Sequence, residues 1–174
     1  MKTYGSEPGA PEPDPVRVGI SEFEISDSGQ RLKSYGLGSC VAVALYDDQS
    51  AVGGLAHVML PDGDENDDMS ERKPGKFADT AIRAMLRQMV ETGASYTDVE
   101  AKLAGGGDMF EFESFGDGVG QRNVVAAQEE LDKLGVPVVA EEVGGQEGRT
   151  VEFDTGTGVL SIRTADGEGT IEEL

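Results

Sequence analysis

The chain has 174 residues, a length that suits one domain with a substantial hydrophobic core. Its 34 acidic residues outnumber its 14 basic residues, which gives a formal net charge of −20. This charge repels phosphate backbones and anionic lipid surfaces, so the composition excludes nucleic acid as a partner. The sequence has no run of about 18 apolar residues, and we therefore expect no direct membrane insertion.

Two features of the composition bear on where the protein works. A single cysteine cannot form an internal disulfide and fits a reducing compartment. The N-terminus lacks the apolar stretch of a signal peptide, so we expect a soluble, cytoplasmic protein. Acidic side chains in nearly every loop, with only six lysines, are typical of a halophilic protein adapted to molar salt. An acidic protein from an ordinary cell is the alternative.

The first third of the chain is rich in predicted strands. Residues 1–15, with many prolines, glycines and acids, predict a flexible N-terminal segment. The stretches VRVGISEFEIS and QRLKSYG predict strands on either side of a turn near Asp27–Gly29. VAVALY (41–46) and AVGGLAHVML (51–60) predict a hairpin across the turn-forming DDQS. The charged stretch 62–75 predicts a long loop, which could be a lid, a docking loop or a solvated insertion.

Two amphipathic helices follow. KFADTAIRAMLRQMVETG has an apolar stripe at helical spacing and ends at Gly93. NVVAAQEELDKLG predicts a second helix, with Asn123 as an N-cap candidate and Gly135 as the terminating glycine. Between the helices, VEAKLAG predicts a strand that leads into Gly105–Gly107. After them come the strand VPVVAEEV, the hairpin RTVEFD–TGTG–VLSIRT and a loose acidic tail at 165–174.

The order of these elements predicts the fold class. Strands arriving in runs, with two helices inserted, indicate an α+β fold rather than alternating β–α units. We expect a layered sandwich of mostly antiparallel or mixed β-sheets, flanked by the two main helices. One domain spans 16–164, between the flexible N-terminal segment and the acidic tail.

The only cysteine and the only histidine lie in the predicted hairpin. Whether its loop has two residues (Asp48–Gln49) or four (Asp47–Ser50), the register places Cys40 opposite His57. Facing side chains in a sheet have Cβ atoms about 4.5–5.5 Å apart. An odd-length loop or a bulge would break this register.

This pairing contains the parts needed for acyl transfer. A thiol becomes a strong nucleophile only as a thiolate, and a neighbouring imidazole can take its proton. Gly38 and Ser39, just before Cys40, give a turn whose backbone N–H groups can converge on an oxyanion. Buried cysteines and lone histidines on apolar strands are also common core residues, so the spacing alone leaves a structural role equally open.

Five motifs resemble those of one known family in collinear order: GLGSCVAVALYD, GGLAHVMLP, VEAKLAGGGDMF, VGQRN and EEVGGQEGRTVEFDTGTGVLSIR. They extend over most of residues 16–164. Through them the chain resembles CheD, the chemoreceptor glutamine deamidases of bacterial and archaeal chemotaxis.

The resemblance implies an amidohydrolase that converts receptor glutamines to glutamates with a Cys–His–Thr triad and needs no metal or organic cofactor. Cys40 matches the nucleophile and His57 the base. Ser34 stands where the family has threonine; it keeps the hydroxyl that can orient the imidazole but lacks the methyl group that restricts χ1. The implied partners are chemoreceptor cytoplasmic domains, as substrates, and a CheC-type phosphatase.

Three residues of the later motifs are candidates for substrate binding: Gly106, Arg122 and Asn123. The glycine run suits a tight turn near the site, whereas a phosphate cradle lacks its lysine-containing motif. A helix cap explains Asn123 equally well. Arg149, in the last motif, suits an ion pair.

Two rival functions stay open from the sequence. The same nucleophile could serve a peptidase or a thioesterase, which the bond cleaved to form a trapped acyl-enzyme would distinguish. A non-catalytic adaptor that binds the receptor or CheC would leave Cys40 with an ordinary thiol pKa, and Cys40→Ala would leave signalling intact.

Overall fold

A computed structural model describes residues 13–61, 75–108, 118–165 and 171–174. Over these ranges the strands are β1 (Val16–Arg17), β2 (Phe23–Ser26), β3 (Arg31–Leu37), β4 (Val41–Asp47), β5 (Val52–Val58), β6 (Val99–Gly105), β7 (Val138–Val143), β8 (Arg149–Asp154), β9 (Leu160–Thr164) and β10 (Ile171–Glu173). The helices are α1 (Ala78–Glu91) and α2 (Val119–Leu134), and a 3₁₀ turn spans Tyr96–Asp98.

The strands form two five-stranded mixed sheets. The outer sheet has the order β1-β3-β8-β9-β10, and the central sheet has the order β2-β5-β4-β6-β7. The pairs β1/β3 and β6/β7 are parallel, and the other neighbours are antiparallel. The predicted α+β sandwich with two main helices is therefore confirmed.

The central sheet is covered on both faces. Val41, Val43 and Leu45 of β4 pack in the cluster that contains the buried faces of α1 and α2. The alternate residues Ala42 and Ala44 pack in a second cluster, between the two sheets. Burial on both faces explains why β4 and β5 are almost continuously apolar in sequence. Two polar side chains, Asp47 at the end of β4 and His57 on β5, are therefore buried inside the molecule.

The first predicted strand, VRVGISEFEIS, is in fact divided between the sheets. Its first part pairs with β3 in the outer sheet, and its second part pairs with β5 in the central sheet. The chain crosses between them near Ser21, a non-glycine residue with a φ of 65°. Both parts are extended and rich in β-formers, so strand propensity alone could not reveal the crossing.

Both helices are present, with different N-termini from those predicted. In α1, Gly93 follows the last turn with a φ of 120°, in agreement with the predicted stop. α2 begins at Val119 after Gly118, so the prediction of Asn123 as an N-cap is wrong. The preceding VGQR stretch is also helical, which places Asn123 in the second turn of α2. Its side chain is fully buried there. Within the described residues, neither helix is long and apolar enough to span a bilayer.

The end of the chain is more ordered than predicted. Ile171–Glu173 pair with β9 at the edge of the outer sheet, and Leu174 packs against the cluster between the sheets. Arg149 forms the expected ion pair: its Nε lies 2.5 Å from Oε2 of Glu142 and joins β8 of the outer sheet to β7 of the central sheet. The predictions of a flexible N-terminal segment and of a long charged loop fall mostly on residues 1–12 and 62–74, which lie outside the described residues.

Candidate active site

The β4–β5 hairpin differs from the predicted register by two residues. Ala42 faces His57, and the loop is Asp48–Ala51. The strict facing of Cys40 and His57 is therefore wrong. Asp47 starts the turn by accepting N–H bonds from Gln49 at 2.9 Å and Ser50 at 3.4 Å, and Ala51 takes a φ of 54°, a combination that composition did not reveal.

Cys40 and His57 still lie on the same face of the sheet in the observed register. Side chains alternate along a strand with a period of two, so a two-residue displacement leaves both residues on the same side of the sheet. Cys40 packs against the cluster between the sheets. Diagonal neighbours in a ladder are about 7–8 Å apart at the backbone, within reach of an imidazole.

The imidazole of His57 is held by a hydroxyl of the other sheet. Ser34 Oγ lies 2.7 Å from His57 Nδ1, and it donates a hydrogen bond of 2.7 Å to the carbonyl oxygen of Val18. A serine hydroxyl has one hydrogen, and a carbonyl can only accept. The hydroxyl proton therefore goes to Val18, and Nδ1–H donates to Ser34. This arrangement leaves Nε2 as the unprotonated, basic nitrogen.

Burial keeps the imidazole neutral. His57 and Ser34 are both fully buried, and desolvation lowers the pKa of His57 to about 4. Nε2 is itself buried and has no hydrogen-bond partner among the described residues. Partial burial also raises the pKa of the Cys40 thiol. At neutral pH the two groups thus rest as thiol and imidazole rather than as an ion pair.

The segment that carries Cys40 is fixed through three consecutive carbonyl groups. Gly107 N–H donates to Gly38 O at 2.9 Å, and Gly106 N–H donates to Cys40 O at 2.8 Å. The Asn123 side chain donates to Ser39 O at 2.8 Å. The backbone N–H groups of Ser39 and Cys40 donate to no described residue. Two adjacent N–H groups beside a thiol are the donors that an oxyanion hole requires. The prediction of Gly38 as one of these donors is wrong, because its N–H donates to the Gly36 carbonyl at 3.1 Å.

Gly105–Gly107 form a glycine turn beside the Cys40 segment, and the close approach of two backbones explains the glycine at position 105. Gly105 has a φ of 100°, and a Cβ there would lie 2.5 Å from the carbonyl oxygen of Cys40. Any larger residue would push the Cys40 segment out of position. The glycine run predicts a tight turn near the site, and the positive φ values of Gly105 and Gly106 confirm it.

The three candidates for substrate binding occupy different places. Gly106 contributes a backbone N–H to the Cys40 segment, and Asn123 lies buried behind it. Arg122 instead lines an open groove of about 470 Å³ that also has Pro61 and Asp79 in its lining. The structure therefore groups Gly106 and Asn123 with the cysteine, and places Arg122 on the surface of α2.

Two groups that contribute to the site could not be predicted from the sequence. The Val18 carbonyl receives the Ser34 proton, and Ser21 N–H donates to the carbonyl of His57 at 3.0 Å. Both act through backbone atoms, which every residue has, so no residue type could mark them. The backbone of Ser21 has a positive φ although the residue is a buried serine. This conformation is visible in the structure but not in the sequence.

Comparisons with known proteins agree with one another. Residues 59–164 match a family model described as CheD chemotactic sensory transduction. A protein of Haloarcula marismortui named probable chemoreceptor glutamine deamidase CheD is 42% identical, over 95% of this chain and 96% of its own length. The chemoreceptor glutamine deamidases CheD of Halalkalibacterium halodurans and Bacillus subtilis are 44% and 40% identical.

The two bacterial matches extend over 87% and 90% of this chain, and over 94% and 95% of the relatives. Among solved structures, a Neisseria meningitidis protein described as DUF152 is 10% identical, with a TM-score of 0.44 over 76% of this chain and 65% of that chain. That likeness is too distant to bear on function.

Proposed function

Because the chain belongs to the CheD family, we propose that it deamidates glutamine side chains of chemoreceptors, with Cys40 as nucleophile, His57 as base and Ser34 as the residue that orients the base. One observation carries the assignment of residues. The Ser34–Val18 bond fixes the proton on Nδ1 of His57, so the free, basic Nε2 remains for the thiol on the same side of the sheet.

Acylation begins with proton transfer from Cys40 Sγ to Nε2 of His57. The sulfur attacks the carboxamide carbon of a receptor glutamine, and the carbonyl oxygen becomes a tetrahedral oxyanion. The N–H groups of Ser39 and Cys40 stabilise that oxyanion. The imidazolium then returns its proton to the departing nitrogen, so that ammonia leaves and a thioester remains.

Deacylation uses the same groups in reverse order. Water gives a proton to Nε2 of His57 while its oxygen attacks the thioester carbon. Collapse of the second oxyanion breaks the C–S bond, and the proton returns to sulfur. Each cycle consumes one water and yields glutamate and ammonia. The receptor gains one negative charge, which can shift a two-state signalling equilibrium.

The neutral resting pair fits this sequence of steps. An imidazolium inside the sandwich is costly because His57 is fully buried. Proton transfer therefore becomes favourable as the sulfur attacks, because the oxyanion that forms on the substrate carbonyl offsets the positive charge of the imidazolium. Free enzyme therefore holds a thiol of low reactivity, and the substrate completes the electrostatics of the site.

The proposed location follows from this assignment, whereas the proposed second partner follows from the resemblance of the motifs. Chemoreceptor cytoplasmic domains as substrates place the protein in the cytoplasm, at the membrane-attached receptors but not inserted in the bilayer. A CheC-type phosphatase is the proposed second protein partner, on the strength of the resemblance of the motifs. Composition supports neither a nucleic-acid partner nor an anionic membrane surface.

The test incubates the protein with a chemoreceptor signalling domain in molar salt and follows glutamine-to-glutamate conversion by peptide mass spectrometry. We expect conversion by the wild type and none by Cys40→Ser or His57→Ala. Conversion that persists in Cys40→Ser contradicts the assignment of the nucleophile. Binding of the receptor without conversion would support the adaptor, and a trapped acyl group from an ester or peptide would indicate a thioesterase or peptidase.

A further inference from the structure

One buried amide ties together the segments that carry the proposed nucleophile and base. Asn123 is fully buried in α2. Its Nδ2 donates to the carbonyl of Ser39 at 2.8 Å and to the carbonyl of Met59 at 3.0 Å. Ser39 directly precedes Cys40, and Met59 lies two residues after His57. A single NH₂ group therefore joins the two segments from a third element.

The chemistry of the partners shows why an amide occupies this position. Both partners are carbonyl oxygens, so only a group with two N–H donors satisfies both. The other end of the side chain gains nothing: Oδ1 is buried and has no partner among the described residues. An unpartnered buried acceptor costs about 1–3 kcal/mol. The two hydrogen bonds that Nδ2 donates are therefore present together with an unpartnered Oδ1.

Helix α2 has little freedom to move relative to these segments. A Cβ on Gly120 would lie 2.5 Å from the carbonyl oxygen of Gly106 and 2.6 Å from that of Gly107. The first turn of α2 thus rests directly on the glycine turn that also binds the backbone of Cys40. This contact fixes Asn123, one turn later, against the same segment.

We propose that Asn123 is a positioning residue that sets the separation between the Cys40 thiol and the His57 imidazole. It touches neither the substrate nor the reacting atoms, so its effect passes through the two carbonyl groups. The inference rests on the proposed function for its effect on turnover. A displacement of about 1 Å at a reacting pair can cost on the order of 10²-fold in rate.

Two variants of similar size remove the donors: Asn123→Leu and Asn123→Asp. We expect kcat for a chemoreceptor signalling domain to fall about 10²-fold, with KM within about twofold, since the residue makes no substrate contact. Iodoacetamide should meanwhile alkylate Cys40 faster than in the wild type, because a loosened segment exposes the thiol. Slower turnover with faster alkylation is the signature of lost positioning.

Thr155→Val is the matched control. Thr155 is also fully buried and donates one side-chain bond, of 2.5 Å, to the Gln30 carbonyl at a distance from the site. We expect Thr155→Val to lower the melting temperature while kcat and the alkylation rate of the folded protein stay unchanged. Folded Asn123 variants with wild-type kcat, or the same paired changes in Thr155→Val, overturn the proposal.

Two further outcomes are separable. If the wild type converts no glutamine, the proposed function fails, while the alkylation comparison still decides whether Asn123 holds the Cys40 segment. If neither Asn123 variant folds, Gly120→Ala displaces α2 from the glycine turn instead. Folded Gly120→Ala with wild-type kcat and alkylation rate would then refute the positioning role.

Discussion

Replacing Ser34 by alanine removes the group that links the two sheets at the site. The Ser34 hydroxyl both accepts from Nδ1–H of His57 and donates to the Val18 carbonyl. Because Ser34 and His57 are fully buried, water cannot readily replace either bond. Ser34→Ala therefore strands one donor and one acceptor inside the sandwich.

The magnitude follows from these two orphaned groups. Each buried polar group without a partner costs about 1–3 kcal/mol, so we expect the free energy of unfolding to fall by about 2–6 kcal/mol for the two groups. Ser34→Thr keeps the hydroxyl and restores the family's residue, and we expect it to retain most of that stability. The same pair of variants should separate in kcat, because only Ser34→Ala frees the imidazole to rotate and change tautomer.

Urea unfolding in molar salt, followed by circular dichroism, measures the stability of both variants. Nitrogen-15 NMR of the imidazole reads the tautomer directly, since the chain has a single histidine. We expect Nδ1–H in the wild type and in Ser34→Thr, and a mixture of tautomers in Ser34→Ala. A loss below about 0.5 kcal/mol, with Nδ1–H still dominant in Ser34→Ala, would refute the proton assignment.

Three other predictions use different observables. The pKa of His57 is lowered from 6.5 to about 4, so the unfolded state binds a proton at a higher pH than the folded state. The free energy of unfolding therefore falls by up to about 3 kcal/mol as pH falls through this window. Between about pH 7 and pH 4, the free energy of unfolding should depend less steeply on pH in His57→Gln than in the wild type. Alkylation of Cys40 against pH should rise only above the ordinary thiol pKa, because burial raises it; a plateau at neutral pH would instead reveal a resting ion pair. Ala51→Gly should increase the free energy of unfolding by about 0.5–1 kcal/mol and so raise the melting temperature, because Ala51 has a φ of 54°. An unchanged or lower melting temperature contradicts this.

Periodicity and composition predicted those parts of the fold that depend on burial. The apolar runs of β4 and β5 and the stripe of α1 identify elements because the core selects side chains at fixed spacings. The division of the first strand at Ser21 and the loop Asp48–Ala51 depend on backbone conformation. Neither leaves a strong trace in residue type, so the crossing and the register of the hairpin were missed.

The candidate site divides in the same way. Cys40 and His57 stood out as single residues of reactive types, and alternation placed them on one face even with the register in error. Ser34 was reached only through the resemblance, because serine is common on strands. Residue type predicts a helix cap or substrate binding for Asn123, whereas its partners in the structure are the carbonyls of Ser39 and Met59. Contacts to backbone atoms leave the choice of partner invisible in a sequence.

The serine and the histidine of the proposed triad belong to different sheets: Ser34 to the outer sheet and His57 to the central one. Their contact therefore lasts only while the two layers stay pressed together. Diluting the salt strengthens repulsion within a chain of net charge −20, and that repulsion can part the layers before any strand loses its own ladder. Catalysis would then be lost at a higher salt concentration than secondary structure. Activity is therefore a more sensitive measure of the contact between the two sheets than circular dichroism.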